Sequence, residues 1–204
     1  YSEADAVFLV PTLASNSPAG LAGMWVGLGG SSSTKNLVQA GISLDPTGAY
    51  TGYKYHAWIE NLGDWYGDSN NPCNSGPDPC YMPDTVNPGD EIQVTITGNT
   101  MTILNPHHWG HTFTFGPQPD TSTADWIMEH VYGAGQLPNF QTTTFYGMGA
   151  TGSGGYNGPL WQTHDFDTLI GGSGNPLINI GGLVYNTTFG PPNDSNSMTW
   201  VAGN

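Results

Sequence analysis

Glu91-Ile92-Gln93-Val94-Thr95-Ile96-Thr97-Gly98-Asn99-Thr100-Met101-Thr102-Ile103-Leu104 carries its apolar residues at every second position on either side of Gly98-Asn99. Period-two alternation puts one face of an extended chain on a core, and a Gly-Asn pair suits a tight turn, so the stretch reads as a β-hairpin. Further runs rich in Thr, Val, Ile and aromatic residues span 50–59, 111–115, 142–146, 177–185 and 197–201. Strands this frequent, cut short by 30 glycines and 16 prolines, point to an antiparallel β-sandwich or barrel. Glycine-rich stretches at 147–158 and 171–175 read as loops inside one domain covering residues 1–204, and no internal repeat is present. One helix candidate stands out, Asp120 to Tyr132, where polar residues lead into an apolar run. Its Trp126-Ile127-Met128 core suits a buried strand equally well.

Charge narrows the function. The 204 residues hold 16 carboxylates against two lysines (Lys35 and Lys54) and no arginine, a formal charge of −14 at neutral pH. In acid the carboxylates neutralise and few cations remain, so the molecule escapes the self-repulsion that unfolds ordinary surfaces there. The same shortage of bases argues against a nucleic-acid partner, since nothing would neutralise phosphates. No stretch approaches the roughly 20 apolar residues of a membrane span, and the opening Tyr1-Ser2-Glu3 reads as a mature, secreted form. Cys73 and Cys80 bracket a turn-rich loop and read as a disulfide, which fits an oxidising, extracellular setting. Asn186-Thr187-Thr188 and Asn193-Asp194-Ser195 are glycosylation sequons.

Strand parity singles out a second face. In Met24 to Gly29 the residues Met24, Val26 and Leu28 share one side, leaving Trp25 on the other beside Gly27 and Gly29. In Leu37 to Ile42 the apolar Val38, Ala40 and Ile42 leave Gln39 opposite. If both apolar faces meet one core, Trp25 and Gln39 point together to the other side, with small glycines leaving room for a groove floor. Read as a strand, Ile127, Glu129 and Val131 share a face, so the Glu129 carboxyl sits between β-branched neighbours. Desolvation there raises its pKa and keeps it able to give and take a proton in acid.

Trp25-Val26-Gly27-Leu28-Gly29-Gly30, the downstream Gln39 and Ala124-Asp125-Trp126-Ile127-Met128-Glu129 together resemble the motifs of the glutamic peptidases, the eqolisin or G1 family. Tyr55-His56-Ala57-Trp58-Ile59-Glu60 is similar to a further strand of that family, and Asn87 to Ile92 to its Gly-Asp turn opening a central strand. The chain departs from the family pattern at Gly29, where an acidic residue is usual, and at Asn61-Leu62-Gly63, where a Trp-Tyr-Pro run is usual. The resemblance implies a concanavalin-like sandwich of two packed, curved antiparallel sheets with little helix and a substrate groove on the concave face. It implies a secreted endopeptidase acting on proteins or peptides in acid, without metal, cofactor or covalent intermediate. Glu129 would be the general base and acid, and Gln39 the group that orients water and stabilises the oxyanion. Trp25, Trp58 and Glu60 would line the groove. The competing reading of the same residues is carbohydrate chemistry, in which Glu60 and Glu129 form a glycosidase carboxylate pair or the tryptophans serve a lectin-like module.

Other constellations carry less. Three histidines fall within Asn105-Pro106-His107-His108-Trp109-Gly110-His111, but no fourth zinc ligand is evident and a turn with surface or packed histidines is the default. Thr151-Gly152-Ser153-Gly154-Gly155 lacks the aspartate of a serine-peptidase motif, and Asp45-Pro46-Thr47-Gly48 reads as a turn rather than an aspartic-peptidase motif. A monomer is expected.

Overall fold

A computed structural model of the chain describes residues 1–29, 37–62, 79–115, 124–151, 178–180 and 195–200. Among the described residues there are twelve strands: β1 (Glu3–Leu9), β2 (Gly20–Gly29), β3 (Leu37–Leu44), β4 (Tyr55–Asn61), β5 (Cys80–Tyr81), β6 (Glu91–Thr97), β7 (Thr100–Asn105), β8 (Trp109–Thr114), β9 (Ala124–Gly135), β10 (Thr142–Thr151), β11 (Ile178–Ile180) and β12 (Ser195–Trp200). They form a seven-stranded sheet, ordered β11-β12-β10-β1-β6-β7-β8, and a five-stranded sheet, ordered β5-β4-β3-β2-β9. Every pairing is antiparallel. Two antiparallel sheets around one shared core make an all-β sandwich, as the alternating pattern and the resemblance lead one to expect.

The hairpin that opened the reading is present: β6 and β7 pair from Gln93↔Leu104 to Thr97↔Thr100. Gly98 takes a positive φ of 58° in the connection, a conformation that glycine adopts without steric cost. The helix candidate, by contrast, is strand β9 from Ala124 onward, its residues 120–123 lying outside the described ones, and among the described residues there is no helix. Burial on both faces explains the change. Ala124, Trp126 and Met128 enter the core while Asp125 and Ile127 are buried on the opposite side, so the apolar run that looked helical is a strand covered twice. Residues 147–151, expected as loop, continue β10; the rest of that stretch, and 171–175, lie outside the described residues. The run at 50–59 begins as strand only at Tyr55, because the Asp45 carboxylate accepts hydrogen bonds from the backbone N–H groups of Thr47, Tyr50 and Thr51 and holds the preceding segment in a turn.

The core lies between the sheets. Ala22, Met24, Val26 and Leu28 of β2, Val38, Ala40 and Ile42 of β3 and Trp126 of β9 face Ala4, Ala6 and Phe8 of β1, Ile92, Val94 and Ile96 of β6 and Phe145 of β10. Burial of each large side chain contributes about 1.5–3 kcal/mol. Trp126 also ties the layers together, its Nε1 donating to the backbone oxygen of Asp5 at 3.0 Å. With its inner face so occupied, the five-stranded sheet must present its alternate residues on the far side.

Candidate active site

Those alternate residues fall into cross-strand rows. One row runs Asp125, Gly27, Gln39, Glu60; the next runs Ile127, Trp25, Gly41, Trp58, Tyr81; the third runs Glu129, Gly23, Ser43, His56. All five residues singled out in the sequence, Trp25, Gln39, Trp58, Glu60 and Glu129, therefore share this face. Trp25, Trp58 and Ile127 form a second apolar cluster here, separate from the main core, with Leu37 and Tyr81 against it.

Trp25 fills the space that the small residues of β2 and β3 leave. A Cβ on Gly27 would come within 2.7 Å of its ring, and one on Gly41 within 2.6 Å of its Cβ. The glycines thus make room for the indole itself rather than for an open groove floor, which corrects the sequence reading. A Cβ on Gly23 would stand 3.8 Å from Trp25 Nε1, and that nitrogen donates to Glu129 Oε2 at 3.1 Å. The hydrogen bond holds the carboxylate over the β2–β9 seam.

Burial raises the Glu129 pKa above the ordinary carboxylate value, while the Trp25 hydrogen bond and the positive charge of neighbouring His130 pull it part of the way back. The expected apolar setting is real. Desolvation exceeds both stabilising contacts, so the group holds its proton into weaker acid than a free glutamate does.

Gln39 is 5% exposed, and its Nε2 donates a short hydrogen bond to Glu60 Oε2 on the adjacent strand. Since a carboxylate oxygen accepts, the amide is oriented with its nitrogen toward Glu60. Gln39 Oε1 is then buried with no hydrogen-bond partner among the described residues, and so is Trp58 Nε1. An unpaired buried polar atom costs about 1–3 kcal/mol, and two on one sheet face mark where polar ligand atoms would be received.

Gln39 and Glu129 do not touch. They stand two strands apart across the sheet and four residues apart along it, roughly 16 Å between Cα atoms. The structure groups Gln39 with Glu60 and Glu129 with Trp25. Glu60, expected as groove lining, contacts Gln39 directly. Asp125 was not singled out in the sequence, yet it is 8% exposed in the Gln39 row; the alternation Asp125, Ile127, Glu129 was the available signal.

Cys80 lies in β5, while Cys73 and both sequons lie outside the described residues, as does the segment 152–155. His107 and His108 occupy the turn between β7 and β8, and His111 Nε2 pairs with Asp84 at 2.5 Å. Among the described residues no group of three His, Cys, Asp or Glu side chains is arranged to hold a metal ion.

Comparison with known proteins adds an independent finding. The sequence model of the Peptidase A4 family matches residues 1–173. Among solved structures the chain is similar to aspergilloglutamic peptidase from Aspergillus niger, at 23% identity over 89% of this chain and 99% of that one, with a TM-score of 0.60. At that identity the likeness carries the fold. No curated protein sequence matches the chain.

Proposed function

Because the chain belongs to the peptidase A4 family, the glutamic peptidases, we propose that Glu129 and Gln39 carry out its peptide-bond hydrolysis, in acid and outside the cell. The observation that carries this assignment is the hydrogen-bonded, desolvated Glu129 on the same sheet face as a buried amide with an open acceptor. In its ionised form Glu129 takes a proton from water as the water oxygen attacks the scissile carbonyl carbon. The tetrahedral oxyanion then collapses, the C–N bond breaks, and Glu129 returns the proton to the leaving nitrogen. A carboxyl group serves here because a histidine would stay protonated in acid. Trp25 fixes the direction of the carboxylate and limits how far its pKa rises.

Gln39 supplies the complementary dipole. With one N–H committed to Glu60, the amide keeps a second N–H and Oε1 for polar atoms of the substrate. Standing roughly 16 Å from Glu129 at Cα, it serves the oxyanion and the attacking water only in a substrate-bound state that brings the two side chains together. Glu60 acts through Gln39 as a positioning residue. Trp25 and Trp58 bound the substrate beside the scissile bond. The substrates are proteins or peptides, and the enzyme works as a single-domain monomer with Cys73 bonded to Cys80.

Glu60 and Glu129 lie three strands and four residues apart, roughly 19 Å at Cα. Glu60 is already engaged by Gln39, and the about 5–9.5 Å separation of glycosidase pairs would need a larger rearrangement than the peptidase assignment does. Digestion of an unfolded protein at pH 2–7 with pepstatin present tests the assignment. Gln39→Ala should lower kcat by about 100-fold or more and Glu60→Gln by about ten-fold. Full activity in Gln39→Ala, or equal collapse in Glu60→Gln with polysaccharide cleavage by the native chain, would sink it.

A further inference from the structure

The row that contains Glu129 does not stop at the reacting groups; it continues through Gly23 and Ser43 to His56 on β4. His56 is 9% exposed, and its Nε2 lies 2.8 Å from the backbone oxygen of Met82. A carbonyl only accepts, so the proton sits on Nε2. The other nitrogen, Nδ1, is buried with no hydrogen-bond partner among the described residues. The ring stacks on Tyr81 at 4.6 Å between centroids and meets Tyr53 edge-on at 4.8 Å. It is held in place from both sides, with one polar position unused.

His56 also lines a cavity of about 210 Å³, between the start of β4 and the segment 83–86, together with Tyr53, Lys54, Tyr55 and Asp84. This volume is below the roughly 300–1,000 Å³ of small-molecule sites and suits one side chain. Its lining carries one lysine and one aspartate, in a molecule of formal charge −14. Lys54 is one of two lysines in a chain with 16 carboxylates, and no ion pair among the described residues involves it. The Asp84 carboxylate in the lining is engaged by His111 at 2.5 Å. What the wall offers an incoming group is therefore an ammonium and an imidazole beside two tyrosines, of which Tyr55 already accepts a hydrogen bond from the Leu13 N–H through its hydroxyl at 3.0 Å.

We infer that this cavity is a specificity subsite for a carboxylate-bearing substrate side chain, held by the Lys54 ammonium beside the His56 ring. The inference rests on Glu129 being the reacting centre. Strand β4 lies three strand spacings from β9, roughly 14 Å, which an extended peptide covers in about four residues. The acidic residue of a good substrate thus stands about four positions from the scissile bond.

The test uses three sets of peptides that differ only at that position, on either side of the cleaved bond, carrying Glu, Gln or Lys. At pH 5 a substrate glutamate is mostly ionised. On one side, the native enzyme should favour Glu over Gln by about ten-fold in kcat/KM, as expected for a charge-assisted contact at a half-open site. Lys54→Glu should reverse the order and favour the Lys peptides. Lys54 is exposed, and thermal unfolding of the variant checks that the fold is kept. Equal cleavage of Glu and Gln peptides by the native enzyme, or an unchanged preference in Lys54→Glu, overturns the subsite alone. Failure to cleave any peptide overturns the proposed peptidase site and the subsite with it.

Discussion

Glu129 gains its chemistry from a contest between burial, which favours its neutral form, and the Trp25 N–H and His130 charge, which favour the ionised one. Trp25→Phe keeps an aromatic ring on this face and removes the hydrogen bond, so the Glu129 pKa should rise further. A general base must be ionised to act, and the acid limb of kcat/KM against pH should move to higher pH, with kcat down about ten-fold. An unmoved limb would mean that the indole does not act on this carboxylate. The same raised pKa has a consequence for stability. A carboxyl with a folded pKa above its unfolded one contributes fully below the unfolded value, and that contribution is lost as pH rises through the folded value. These side-chain pairings were not legible in the sequence. Parity brought Trp25, Gln39 and Glu129 to one face, but the pairing of Gln39 with Glu60 and of Trp25 with Glu129 depends on strand order and register, which alternation leaves undetermined.

At the level of elements, β2 and β3 form the part of the sheet that most constrains the site. Gly41 sits opposite Trp25, and a Cβ there would stand 2.1 Å from the backbone oxygen of Met24. Backbone cannot yield as a side-chain tip does, so Gly41→Ala should lower the melting temperature by at least about 10 °C, corresponding to several kcal/mol; a variant that melts with the native protein would refute the close packing inferred here. The hairpin β6–β7 was readable because its period and its turn agree. Strand β9 was ambiguous because both of its faces are covered, which erases the alternation that identifies a strand. Strand β1 escaped notice for a related reason: its core residues Ala4, Ala6 and Phe8 begin with two alanines, which give a weak apolar signal.

For the whole molecule, scarcity of bases and raised carboxyl pKa values act in one direction. On the outer face of β1 the Asp5 pKa is pushed up to about 6, first by burial and then by the negative charge of Glu3. Its folded value exceeds the unfolded one, so folding is favoured while Asp5 is protonated, and the benefit fades as pH rises from about 4 through about 6. Asp5→Asn, which mimics the neutral form, should therefore raise the melting temperature at pH 7 and leave it nearly unchanged at pH 4; equal effects at both would contradict the linkage. Asp5 and Glu129 both prefer their protons in the folded state, which suits acid, where the proposed chemistry operates. That chemistry is tested most directly by kcat for a fluorogenic peptide in acid, comparing native protein with Glu129→Gln at matched melting temperature. Loss of at least about 100-fold in the variant is expected of a general base and acid. Retention of more than about a tenth of the native rate would contradict the assignment of Glu129.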